Sequence, residues 1–113
     1  MQCFCEQKET YHLKVEGDVG ADPIWCQHCQ CNLDIDEIPI SLDLKSELIE
    51  WVEKYGTWID WDNDKIVSNG VKLEEKHNEQ GASLTIQLQK ELQGQYKVTF
   101  SPSSLARNYS KKR

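Results

Sequence analysis

The chain is 113 residues long, room for one domain or a domain with a small appendage, and its 38% hydrophobic and 28% charged composition is that of a folded chain rather than a disordered one. A formal net charge of −6 argues against general binding to a phosphate backbone, which relies on Lys and Arg; the terminal "SKKR" and Arg107 are a local exception, read as a solvated end. No apolar run approaches the roughly 20 residues that cross a bilayer, and "MQCFCEQKET" has neither the basic start nor the apolar core of an export signal, so a cytoplasmic protein with no membrane partner is expected.

The first element follows at once. "TYHLKVEG" alternates, with Tyr11, Leu13 and Val15 on one side and His12, Lys14 and Glu16 on the other, the pattern of a half-buried strand. "GDVGADP" supplies turn chemistry, and "IWC" can return as the partner strand. In "NLDIDEIPI", Pro39 makes a helix unfavourable. Ser41 is then a good N-cap, Asp43 an acid in the first turn, and Leu44, Leu48, Val52 and Tyr55 recur on one face beside Trp51. Together they predict a helix over about 42–55, with Gly56 just past its end.

"TWIDWDNDKIV" reads either as two short strands around Asp62-Asn63-Asp64 or as an ordered loop, with Trp58 and Trp61 holding it to the body and one of them free to face a partner. From Leu73 through His77, Gly81, Leu84, Leu88 and Leu92 the helical period returns. It predicts a helix over about 70–93, ended by Gly94, with Gly81 marking close approach of another element and a candidate bend. "YKVTF" reads as a short strand, and Ser101 with Pro102 as the start of a final helical turn or two.

All five cysteines fall within the first 31 residues. Five is an odd number, so any disulfide set would leave a thiol over; reduced cysteines holding a metal are the better reading. Cys3 and Cys5 form one close pair and Cys26 and Cys29 another, separated by the predicted hairpin that would bring them together. Ionised sulfur is a strong ligand for Zn²⁺, and structural zinc sites are closed by four ligands, so Zn²⁺ is favoured over iron and catalysis at the metal is disfavoured. Cys31 is the alternative ligand, in a register pairing Cys29 with Cys31; turn geometry favours Cys26 with Cys29.

The remaining candidates have plainer explanations. His12 points away from the strand's apolar side and His28 lies inside the Cys-x-x-Cys turn, so neither is a favoured ligand. His77 sits on the apolar helical face, as a core histidine would. Asp60, Asp62 and Asp64 begin like a calcium loop, but Lys65 and Val71 stand where that loop needs Gly and Glu. No nucleophile accompanies these carboxylates in a catalytic pattern, and a non-enzyme is expected.

"WCQHCQCNL" resembles the second knuckle of a zinc ribbon, over about residues 1–35. It departs from that pattern in its Cys-x-Cys first pair and in Gln30, which stands where a glycine often follows the second cysteine. The cysteine order also resembles the zinc centre of the redox-switched heat-shock chaperones, which implies Cys3, Cys5, Cys26 and Cys29 as ligands and metal release on oxidation. Residues 36–113 resemble small proteins of spore-forming bacteria and their relatives, which implies no function.

The expected architecture is α+β: a zinc-ribbon-like β-hairpin at 1–35 packed with two helices and a short C-terminal strand in a small α+β body at 36–102, then a basic tail at 103–113. The expected function is a protein-binding or regulatory module with a structural tetrathiolate zinc, its partner a protein. The alternatives are a zinc–thiolate redox sensor and a nucleic-acid-binding ribbon.

Overall fold

The structure is a computed structural model that describes residues 2–3, 5–6 and 8–110. It is α+β. Strands β1 (His12–Val15) and β2 (Ile24–Cys26) form the expected antiparallel hairpin, with Leu13 opposite Cys26 and Val15 opposite Ile24. Helix α1 covers Leu42–Glu53, and β3 (Ile59–Asp60) and β4 (Lys65–Ile66) make a two-stranded hairpin. Helix α2 covers Gly70–Leu92, β5 covers Lys97–Phe100, and α3 covers Leu105–Ser110. Lys111, Lys112 and Arg113, read from sequence as part of a solvated basic end, lie outside the described residues.

β5 returns to pair with β1 in parallel, Leu13 opposite Val98 and Val15 opposite Phe100, so the main sheet has the order β2-β1-β5. The first strand of the chain is thus the centre of the sheet. That placement explains a departure from simple alternation. Leu13 and Val15 are fully buried in the core, but Lys14 on the other face is also 91% buried, because β2, β5 and the residues after β2 surround it. Its ammonium is met by Glu16 at 3.3 Å and by the Gln30 side-chain oxygen, and it lies 5.9 Å from the centre of the Trp25 ring. Tyr11, grouped by alternation with Leu13 and Val15, lies before the strand; it is half exposed and packs against Tyr96.

Both outer edges of this sheet are covered. Beside β2 the chain runs back, Cys26 N–H donating to Cys31 O and Leu33 N–H to Ile24 O. Beside β5 the Gln89 side-chain amide of α2 donates to Tyr96 O and accepts from Val98 N–H, acting as a one-residue neighbouring strand. Unpaired strand edges invite association with other chains, and these contacts suppress it.

Ser41 caps α1, its hydroxyl accepting from Leu44 N–H. The helix buries Leu44, Leu48, Trp51 and Val52 against α2 and the sheet, each fully buried aliphatic side chain contributing about 1.5–3 kcal/mol. Trp51, placed by periodicity only beside the apolar face, is at the heart of the core, its indole N–H donating to His77 O at 2.9 Å. Gly56 takes the expected left-handed conformation, φ +82°. A second, smaller cluster of Trp58, Ile59 and Ala106 joins the β3–β4 hairpin to α3, with Tyr109 O–H donating to Asp64. Trp58 is buried there, whereas Trp61 is the exposed one of the pair.

Two helix ends differ from expectation. α2 stops at Leu92 without using Gly94; Gln93 instead adopts φ 54°. α3 starts at Leu105, not at Pro102, because Ser103 and Ala106 are drawn to Glu74. That carboxylate is 97% buried and accepts from Ser103 Oγ and from Ala106 N–H, and a helix begun at Pro102 would give up this arrangement.

The close approach anticipated at Gly81 is present. A Cβ there would collide with the Phe100 ring of β5 and stand 2.7 Å from Trp51 Cζ2, so glycine lets α2 lie against α1 and β5 together. Gly81→Ala is therefore expected to lower stability by about 1–3 kcal/mol in urea denaturation, although alanine is worth about 1 kcal/mol more than glycine in a free helix. His77, one turn earlier, stacks on Trp51 at 4.4 Å and contacts the Trp58 ring at 4.9 Å, and burial pushes its pKa down to about 4. The unfolded chain takes up that proton first, near pH 6.5. Stability from the neutral ring should then be full above about pH 6.5 and fall as pH drops toward about 4. This part of the slope should vanish in His77→Phe when urea midpoints are compared between those pH values.

Candidate metal centre

β2 ends at Cys26, and the chain turns immediately: Gln30 N–H donates to Cys26 O, and Cys29 N–H points at Cys26 Sγ at 3.5 Å. Gln30 takes φ 64°, the left-handed conformation for which a ribbon knuckle ordinarily uses glycine. Its side chain is tied down at both ends, Nε2 to Gln27 O and Oε1 to Lys14, which offsets the cost of the backbone conformation. The departure from the ribbon pattern is thus chemical and not conformational.

The N-terminal pair is folded back by a tight turn. Lys8 N–H donates to Cys5 O, Cys3 N–H donates to Lys8 O, and Gln2 bridges Glu9. Cys5 N–H points at Cys3 Sγ at 3.3 Å. Backbone N–H groups aimed at sulfur stabilise thiolates, the outer-shell support a metal–thiolate site needs.

The two pairs converge. The sulfurs of Cys3, Cys5, Cys26 and Cys29 all lie within 4.8 Å of one another, with Cys5 and Cys26 at 3.5 Å. Four sulfurs at about 2.3 Å from a tetrahedral ion would be about 3.8 Å apart, so this donor set fits a tetrathiolate centre. Cys26 is fully buried and the other three are partly so. With protons in place of a metal, hydrogen bonding with Cys3 and Cys26, then burial, pushes the Cys5 thiol up. Burial also pushes Cys26 up, but the Cys29 N–H, Thr10, the His28 N–H and Cys5 outweigh it and leave Cys26 below the ordinary thiol value.

Cys31 is not in the cluster. It packs against the main core near Cys3, and its carbonyl pairs with β2. His12 and His28 also lie outside it, edge to face at 5.5 Å, His12 with a buried Nε2 and His28 exposed in the knuckle. Asp60, Asp62 and Asp64 form the β3–β4 turn: Asp60 accepts from the backbone and side chain of Asn63, and Asp64 receives Tyr109. Thr10 is the supporting residue that sequence did not single out. It is buried beside Cys26 and its hydroxyl donates to His12 O, but a threonine next to a strand carries no signal of its own.

The family described as Serratia CdiI immunity protein-like matches residues 11–103, from the start of the first hairpin to the turn before α3. The chain belongs to this family. The match is thus to an immunity-protein body and not to a zinc ribbon, whose resemblance rests on the cysteines alone. No curated protein matches the chain. Within the immunity-protein match lie Cys26 and Cys29; Cys3 and Cys5 precede it.

The cluster predicts that the purified protein takes up about one Co²⁺ per chain with the intense visible bands of a tetrahedral thiolate site. Cys26→Ser should lose those bands and Cys31→Ser should keep them. The reverse result would reassign the ligand set.

Proposed function

We propose that this chain is an immunity protein: it neutralises a toxin by binding it, and its N-terminal cysteine cluster holds a structural Zn²⁺ that clips residues 2–9 to the hairpin. The observation that carries this reading is the family match, which spans both sheets and both long helices. An immunity protein needs a rigid surface complementary to its target and no chemistry of its own, so the protein acts as a binder and not as an enzyme. The partner is a protein met inside the cell, where the cysteines stay reduced. The net charge of −6 speaks against nucleic acid as the target.

Zinc fits the soft, four-sulfur donor set better than a hard cation does, and a closed thiolate shell leaves no ligand position for water. When bound, the ion supplies a cross-link and no reaction. Cys3 and Cys5 would hold it from the N-terminal turn, and Cys26 and Cys29 from the end of β2.

The reading is tested by challenging cells with the toxins whose immunity proteins belong to this family. Expression of this chain should restore growth against one of them, and the two purified proteins should elute together as a stable complex. Growth inhibition by every such toxin, undiminished by the chain, would refute it.

A further inference from the structure

The charge of the molecule is segregated. Residues 34–53 hold seven carboxylates against Lys45, a net of −6, which is the net charge of the whole chain; the other twelve acids are balanced by twelve bases. These twenty residues are the 3-10 turn after Asp34 and helix α1. All seven carboxylates are exposed, and none of them is in an ion pair among the described residues.

Apart from Asp43, which suits the first turn, their placement on α1 opposes the helix. Asp43 and Glu47 are four apart, and Glu47, Glu50 and Glu53 follow at intervals of three, so like charges neighbour one another along the outer face. Glu50 and Glu53 also stand at the C-terminal end, where the helix dipole disfavours acids; the last turn carries no base, and the nearest one is Lys54 at the C-cap. Folding alone would select against this arrangement. Between α1 and the 3-10 turn runs a groove in which Asp22, Asp34, Asp36 and Glu50 outnumber one base, Lys45, whose ammonium donates to Asp36 O; Leu42 in its wall is 79% exposed.

We infer that the α1 face and this groove form the surface that docks a cationic, Lys/Arg-rich segment of a partner protein, with Leu42 as its apolar anchor. The inference rests on the immunity reading for the identity of the partner, but not for the location of the surface. Charge complementarity selects the occupant: the acid excess of residues 34–53 steers a positive surface to this region and repels an acidic one. The covered edges of the main sheet turn away a partner that would add a strand there.

Two arms test it. In the first, octalysine is titrated at low salt and followed by amide chemical shifts. Shifts should gather in residues 34–53, with the outer face of α2 at Glu75 and Glu79 unmoved; shifts spread over both faces would overturn the proposal. So would a saturable Mg²⁺ titration at Asp34 and Asp36, which would make the groove a cation site. In the second arm, the toxin identified by growth rescue is used. Glu47→Lys with Glu50→Lys should slow association on the order of tenfold at low salt and flatten its salt dependence, whereas Glu75→Lys with Glu79→Lys should not. Glu50→Lys alone should raise the melting temperature, because it relieves the helix while weakening binding. A toxin that binds the α1 variant at the wild-type rate sinks this surface and leaves the immunity reading standing. Failure of every toxin, with octalysine still mapping to α1, sinks the immunity reading and leaves the surface.

Discussion

The contact on which the fold depends is the one at Gly81. There α2 meets the Phe100 ring of β5 and the Trp51 ring of α1 with no room for a methyl group. Because α2 lies that close, Trp51 reaches the carbonyl of His77 and stacks on its ring, and Gln89 two turns later reaches the outer edge of β5. Close packing of this kind makes interiors intolerant of added volume, so three elements distant in sequence are held in one arrangement by the absence of a single side chain. The same contact fixes β5 against β1, and so fixes the sheet that carries Cys26 at its end.

The cysteine cluster sits at the edge of that core: Cys26 is fully buried and Cys3 packs against the main cluster. Cys26 and Cys29 belong to the hairpin, which exists through pairing and burial of Leu13, Val15 and Ile24; Cys3 and Cys5 come from a short turn tied by Lys8 N–H to Cys5 O and Cys3 N–H to Lys8 O. A metal held by all four sulfurs would cross-link that turn to the hairpin and offset part of the conformational entropy of ordering it. The family match begins at residue 11, after the first pair, consistent with a clip added to an existing body.

Acidity acts on a different part of the molecule. The carboxylates that set the net charge are on α1 and the 3-10 turn, whereas the buried Lys14 of the central strand is met by Glu16 and Gln30. The two regions are therefore chemically distinct: four cysteine sulfurs gather at the N-terminal end, and carboxylates cover a helix whose buried side packs in the core.

Local pattern was enough for the elements and for the meeting of four of the five cysteines. Leu44, Leu48 and Val52 mark α1, the run from His77 to Leu92 marks α2, and two close cysteine pairs flanking a hairpin already imply that their sulfurs meet, since each of these signals depends on neighbours a few residues away. The family was not legible there, because no short motif carries it and the cysteines pointed to a ribbon. Tertiary structure alone decided the parallel return of β5 to β1, the burial of Lys14 and Glu74, and the start of α3 at Leu105. Each of these depends on a partner 29 to 86 residues distant or on groups from several elements. No periodicity within a segment can register what lies on its far side, so alternation predicted which way Lys14 points and could not predict that other parts of the chain would cover it.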